Sequence, residues 1–289
     1  MENAAMTNLP SDMPKLPARE PQSHKGDYGR VLLIGGSRGM AGSISLSGMA
    51  ALRSGAGLVK LAVPEVCFDT VAGFEACYMT VSLPCDGAGR IASTAKQTLE
   101  PVLAEADSVA VGPGLGRSNE LTELVAWLYS TLAKPLLIDA DGLFALAQRS
   151  ELLTTPPIAP RIVTPHAGEF ARLSGQNTID ENQRTALAEQ FASQSGNIVV
   201  LKGYGTVVTD GKKTFINPTG NPGMATGGTG DVLTGVIAAL IGQGLSSMDA
   251  ARLGAYVHGH AGDLAAADVG QVGLVASDLV GYLPLAFRG

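Results

Sequence analysis

Four glycine-rich turns constrain the fold of this chain more than any other feature: GGSRGMAG (35–42), GPGLG (112–116), KGYG (202–205) and GGTGD (227–231). Each lies directly after an apolar run or before a helical one. The runs are short and β-branched: VLLIG at 31–35, LVKLAV at 58–63, SVAV at 108–111, LLIDA at 136–140, RIVT at 161–164 and IVVL at 198–201. Between them, Leu121, Leu124, Val125, Leu128 and Leu132 recur at helical spacing. Strands apolar on both faces that alternate with helices predict an α/β fold with a central, mostly parallel sheet flanked by helices. TVVT (206–209) and TFI (214–216), separated by Asp210-Gly211-Lys212-Lys213, predict a hairpin near the C-terminal edge of that sheet. No linker interrupts residues 30–280, so the expected organisation is an N-terminal arm at 1–25 and one domain at 26–289.

In an open parallel sheet, ligands bind beyond the carboxyl ends of the strands, where glycines let backbone N–H groups approach a phosphate. Several such turns on one edge suit one large ligand or two adjacent ones. The net charge of −6, with no basic run, argues against a nucleic-acid partner, so any phosphate must be gripped locally. Cys67, Cys77 and Cys85 are odd in number and lack metal-ligand spacing, which suits reduced intracellular thiols. The polar, Pro-rich N-terminus has no apolar core, and nowhere do eighteen apolar residues run together; a cytoplasmic protein with no membrane partner is expected.

The GGSRGMAG turn resembles that of short-chain dehydrogenases, but Gly36, Gly39 and Gly42 make G-x-x-G-x-x-G and not the dinucleotide fingerprint G-x-G-x-x-G. A short-chain dehydrogenase also needs a Tyr with a Lys four residues on. None of the six tyrosines has one, so a redox role for this turn has no chemistry behind it.

The segment NPTGNPGMATGGTGDVLTGVIAALIG (217–242) is the most informative. Gly227, Gly228 and Gly230 free the backbone to curl N–H groups around an anion, and a helix expected to begin near Asp231 adds its positive end. Asp231 could cap that helix. A cap does not require three flanking glycines, whereas a general base beside a bound phosphoryl group does benefit from them, and the base is the preferred reading.

Taken together, KGDYGRVLLIGGSRGMAGS, GPGLG, TPHAGEF (164–170), KGYGT and GGTGD resemble the ADP-dependent NAD(P)H-hydrate dehydratases of the ribokinase-like superfamily, over about residues 24 to 287. The resemblance implies a repair reaction: the S epimer of hydrated NADH or NADPH loses water at the expense of ADP, leaving AMP and phosphate. It implies that Asp231 is catalytic and contacts substrate, as do Ser43, Gly116 and His166 at the hydrated dinucleotide. Gly230 and the segment Lys202, Gly203, Tyr204, Gly205 and Thr206 are implied to hold the adenine nucleotide. Ser43 departs from the family, which usually has Ala after Gly42; its hydroxyl adds a hydrogen bond or crowds the substrate. The residues also have plainer readings: Lys202 reaching solvent, Thr206 a strand residue, His166 a helix-start residue satisfied by backbone.

Mg²⁺ is the expected cofactor beside ADP. Glu169, Asp139 and Asp141 are possible contacts for it, with capping and loop roles equally open for the two aspartates. His258 and His260 are two apart on a helix and lack a further ligand, so a metal site there is not expected. The family also implies a homo-oligomer, a tetramer, and a separate epimerase acting on the R hydrate, because an arm of about 25 residues is too short to be one. A vitamin-alcohol kinase and a nucleotide-binding regulatory module are the rival readings; the two extra glycine turns speak against the first and Asp231 against the second.

Overall fold

The computed structural model describes residues 10–288, and within them nine strands form one sheet in the order β3-β2-β1-β4-β5-β6-β7-β8-β9. The first three strands are β1 (Arg30–Ile34), β2 (Leu58–Pro64) and β3 (Met79–Leu83). They are followed by β4 (Ser108–Val111), β5 (Leu136–Ile138), β6 (Arg161–Val163) and β7 (Ile198–Leu201), and these seven strands are parallel to one another. The hairpin expected at 206–216 is present as β8 (Val207–Thr209) and β9 (Thr214–Ile216), antiparallel at the edge. The strand reading of the sequence omitted β3, an edge strand whose pattern is mostly half-exposed.

Alternation along the strands feeds two cores. Val31 and Leu33 of β1 face one, Leu32 and Ile34 the other. The first core is covered by α1 (Ala41–Arg53), α8 (Thr229–Gly242), α9 (Ser247–Val269) and α10 (Ala276–Ala286), with Val71 of the short α2 (Phe68–Ala72). The second is covered by α3 (Lys96–Glu105), α4 (Asn119–Thr131), α5 (Asp141–Ala147), α6 (Ala167–Leu173) and α7 (Arg184–Ser195). The helical spacing read at 121–132 is α4, which starts at a Ser118 side-chain cap. Of the expected arm, residues 1–9 lie outside the described residues; Met13 is buried in the first core and Arg19 donates to the Gly55 carbonyl at 2.6 Å. No helix among the described residues is long and apolar enough to cross a membrane.

At the foot of β6, fully buried Arg161 has no carboxylate partner among the described residues. It donates to the carbonyls of Tyr129, Leu132, Lys134, Ala159 and Pro160, closing the loop ends of neighbouring elements, and burial depresses its pKa to about 10.

The contact that places the functional end of the molecule is that of α1 against α8. It is close because Gly235 carries no side chain: a Cβ built there would stand 2.0 Å from the Ser47 carbonyl oxygen. Ser47 Oγ in turn donates to the Asp231 carbonyl at 2.7 Å. Gly235→Ala should therefore push the two helices apart, lowering the free energy of unfolding by about 1–3 kcal/mol; urea denaturation measures this, and an unchanged midpoint would mean that the contact yields freely.

Candidate active site

The strand order reverses between β1 and β4, the position where open α/β sheets form a ligand crevice. The turns leaving these two strands interlock. Gly36 N–H donates to the Pro113 carbonyl at 2.8 Å and Ser37 Oγ to the Gly114 carbonyl at 2.8 Å. Gly114 comes so near the start of α1 that a Cβ there would meet the Met40 oxygen at 2.5 Å. Ser43 thus lies in the first turn of α1, at the mouth of the crevice.

The GGTGD turn reaches the same place. Helix α8 opens at Thr229, two residues before Asp231, with Gly228 as N-cap in the left-handed region (φ 93) that favours glycine. Asp231 is therefore not the cap; it occupies the first turn. Neither α1 nor α8 has a side chain capping it, so both present free backbone N–H groups and a positive helix end. Burial, reinforced by the nearby Asp139, pushes the Asp231 carboxyl up to about 6, against a lowering hydrogen bond from Ser43 and the charge of Lys202. The Ser43 hydroxyl thus works to lower the Asp231 carboxyl and only partly offsets its burial.

Lys202 does not reach into solvent. Its Nζ lies 2.9 Å from Asp139 Oδ1 and 3.8 Å from Glu169 Oε2, with the side chain 20% exposed. Burial works against its charge, but Asp139 and Glu169 outweigh this and hold its pKa above the usual value. A Cβ built at Gly230 would come within 3.1 Å of that Nζ, so the lysine faces the glycine turn directly. The rest of KGYGT forms a tight turn that Thr206 Oγ1 closes onto the Gly203 carbonyl at 3.1 Å, with Tyr204 fully exposed.

His166 is the N-cap of α6. Its Nδ1 accepts from Gly168 N–H at 3.0 Å while Glu169 Oε2 accepts from His166 N–H at 2.9 Å, a reciprocal capping box. The plainer reading of His166 is thus the one its ring nitrogen Nδ1 fulfils; Nε2 stays on a ring that is 60% exposed. A backbone bridge joins His166 to Lys202, bringing the ends of β6 and β7 together. Gly116 donates from its N–H to Asp141 Oδ2 at 3.0 Å, and Arg117 Nε to Asp141 Oδ1 at 3.0 Å.

The carboxylates considered for Mg²⁺ are accordingly occupied by protein donors. Asp139 holds Lys202 and Thr234, Asp141 holds Gly116 and Arg117, and Glu169 holds the His166 backbone. Among the described residues no three His, Cys, Asp or Glu are grouped to hold a metal ion. These residues do not fit a protein-ligated metal. His258 is partly buried with Nε2 2.8 Å from the Thr229 carbonyl, and desolvation depresses its pKa to about 4, so it is a neutral brace for the start of α8.

Two organising residues escaped the sequence reading. Arg184 donates to the carbonyls of Leu201, Lys202 and Tyr204 at 2.9, 3.1 and 2.7 Å, shaping the KGYG turn from α7. Asp263 of α9 holds Gly220 N–H and Asn221 Nδ2 at 2.9 and 3.0 Å, fixing the loop that leads into α8. Neither belongs to a motif, and their partners lie far enough along the chain that only folding joins them.

Residues 31–285 match the sequence profile of the family described as NAD(P)H-hydrate dehydratase. The chain belongs to that family. The bifunctional NAD(P)H-hydrate repair enzyme of Moorella thermoacetica is 47% identical over 277 residues, covering 95% of this chain and 52% of that protein. The Escherichia coli protein of the same name is 40% identical over 270 residues, covering 93% and 49%. This chain thus spans about half the length of these curated relatives. Among solved structures, the ADP/ATP-dependent NAD(P)H-hydrate dehydratase of Bacillus subtilis, co-crystallised with ATP/Mg²⁺, superposes with a TM-score of 0.79 at 29% identity, covering 94% of each chain. A hydroxyethylthiazole kinase from Pyrococcus horikoshii shares the ribokinase-like fold at 18% identity, with a TM-score of 0.62 over 89% of this chain and 88% of that one.

Two expectations follow for Asp231 in this dehydratase-family site. Its ionised form is costly in the folded state, so stability falls as pH rises between about 4 and 6 and the loss persists above. Asp231→Asn should raise the free energy of unfolding by about 1–3 kcal/mol at pH 8 and leave it unchanged at pH 3; denaturation at the two pH values gives the comparison. Ser43→Ala should move the carboxyl titration of Asp231 above its present midpoint, read by carbon NMR, and a downward movement would contradict the hydrogen bond.

Proposed function

We propose that this chain dehydrates the S epimer of hydrated NADH or NADPH to NAD(P)H, consuming ADP and releasing AMP and phosphate. The observation that carries the reading is Asp231: a carboxylate raised toward neutrality in the first turn of an uncapped, glycine-lined helix, facing Lys202 across Gly230. Family membership supports the substrate.

Hydroxide on the hydrated ring is a poor leaving group, so it is activated first. Asp231 takes the proton of the ring hydroxyl as its oxygen attacks the β-phosphorus of ADP, and AMP departs. The N–H groups of the GGTGD turn and Lys202 offset the charge that develops on the transferred phosphoryl group. The ring nitrogen lone pair then expels phosphate, and loss of a proton from the adjacent ring carbon restores the double bond. Ser43, Gly116 and His166 line the end of the crevice assigned to the dinucleotide; Lys202 to Thr206 and Gly230 line the end assigned to the nucleotide. Any Mg²⁺ would be carried by the nucleotide phosphates, since Asp139 and Asp141 hold protein donors. We take the protein to be a cytoplasmic tetramer that relies on an epimerase for the R hydrate, a reading that rests on the family.

The test is recovery of reduced-nicotinamide absorbance when the protein and Mg²⁺ meet NADH hydrate with ADP, with ATP and with neither. Recovery only with nucleotide supports the reading and identifies the donor; no recovery from protein that binds ADP overturns it in favour of an alcohol kinase. Asp231→Asn should lower kcat by roughly two to four orders of magnitude while ADP binding by calorimetry stays close to that of the unaltered protein.

A further inference from the structure

Asp139 directly follows β5 at the carboxyl end of this central strand and is 1% exposed. Its Oδ1 accepts from Lys202 Nζ at 2.9 Å and its Oδ2 from Thr234 Oγ1 at 2.8 Å. Thr234 is three residues past Asp231 on α8, hence on the same face one turn further on. A Cβ built at Gly230 would lie 3.1 Å from Lys202 Nζ and 3.9 Å from Asp139 Oδ2. One buried carboxylate therefore ties the end of β5 to the end of β7 and to the helix that carries Asp231.

The backbone here is also unusual. The Asp139 carbonyl accepts from Gly142 N–H at 2.9 Å across a tight turn in which Ala140 has φ 50 and ψ −120. Ala140 is the one non-glycine residue with positive φ among the described residues, in a conformation that glycine normally fills. Strain of on the order of 1–3 kcal/mol is kept where it directs Asp139 toward Lys202 and Asp141 toward Gly116.

We propose that Asp139 is the positioning residue of this site, holding Lys202 with one oxygen and the second turn of α8 with the other, so that Lys202 and Asp231 face the transferred phosphoryl group from fixed places. This rests on Asp231 acting as the base. The groups facing Asp231 are Asp139 from β5, Asp141 from α5, Lys202 from β7 and the Ser43 hydroxyl from α1. Glu169 of α6 faces Lys202, and His258 of α9 is neutral. Asp139→Asn keeps a side chain of the same shape but removes its charge. Asp231 then loses a negative neighbour and feels Lys202 more strongly, and both changes favour its ionised form. Thr234→Val removes the tether and no charge.

The experiment follows the Asp231 carboxyl by carbon NMR, with kcat and KM for ADP, in the unaltered protein, Asp139→Asn, Thr234→Val and Thr234→Ser. In Asp139→Asn the Asp231 midpoint should fall by about one pH unit. Thr234→Val should leave the midpoint in place and lower kcat about tenfold with KM for ADP nearly unchanged, and Thr234→Ser should restore kcat. An Asp231 midpoint that does not move in Asp139→Asn overturns the proposal, as does equal loss of kcat in the Val and Ser variants. If Asp139→Asn does not fold, the Thr234 pair decides alone. Absence of turnover in the unaltered protein would count against the dehydratase reading, while the NMR midpoints would still decide the role of Asp139.

Discussion

The close crossing of α1 and α8 is the constraint on which the rest of the site depends. Both helices begin at the carboxyl edge of the sheet, and both lie on the same face of it. Gly48 lets α1 press onto β2, where a Cβ would meet Leu61 Cδ1 at 2.8 Å, and Gly235 lets α8 press onto α1. With the helices this near, Ser47 Oγ reaches the Asp231 carbonyl at 2.7 Å and the Ser43 hydroxyl lowers the Asp231 carboxyl. Two positive helix ends then converge on one spot beside Lys202.

Charge in this spot is divided unequally, and the division has a physical reason. Asp139, Glu169 and Asp231 surround one buried lysine. Unit charges about 4 Å apart interact by roughly 4 kcal/mol at an effective dielectric of 20, enough to keep Lys202 charged despite its burial. That lysine contacts Asp139 at hydrogen-bond distance and only approaches Glu169 at 3.8 Å. At Asp231 burial outweighs the lowering effects of the Ser43 hydroxyl and Lys202, so its proton is held more tightly. A carboxyl poised near neutrality accepts a proton from an alcohol better than one with an ordinary pKa.

Much of this was legible in the residues themselves. The β-branched runs mark seven of the nine strands' neighbourhoods plus the hairpin partner, because strands buried on both faces leave an uninterrupted apolar signature. Strand β3 left none: MTVSL is partly exposed on an edge, so it carries no continuous apolar run. The start of α8 was read two residues late because an aspartate before an apolar run looks like a cap, whereas a left-handed Gly228 performs that task. Arg184, Thr234 and Asp263 carry no motif, and each acts through partners from another element.

By itself the sequence determined the layered α/β architecture, the parallel sheet with its hairpin edge and the family, since periodicity and glycine turns are local properties that survive without coordinates. It also drew attention to Asp231 and the glycine turns around it, because that motif is written in contiguous residues. Tertiary structure alone decided which carboxylate is paired and which is raised. It turned Asp139 and Asp141 inward to protein donors, buried Lys202 among acids and made His258 a neutral brace. Those outcomes depend on distances between residues tens of positions apart, and electrostatic interactions are set by separation in space and access to water, neither of which the order of residues states.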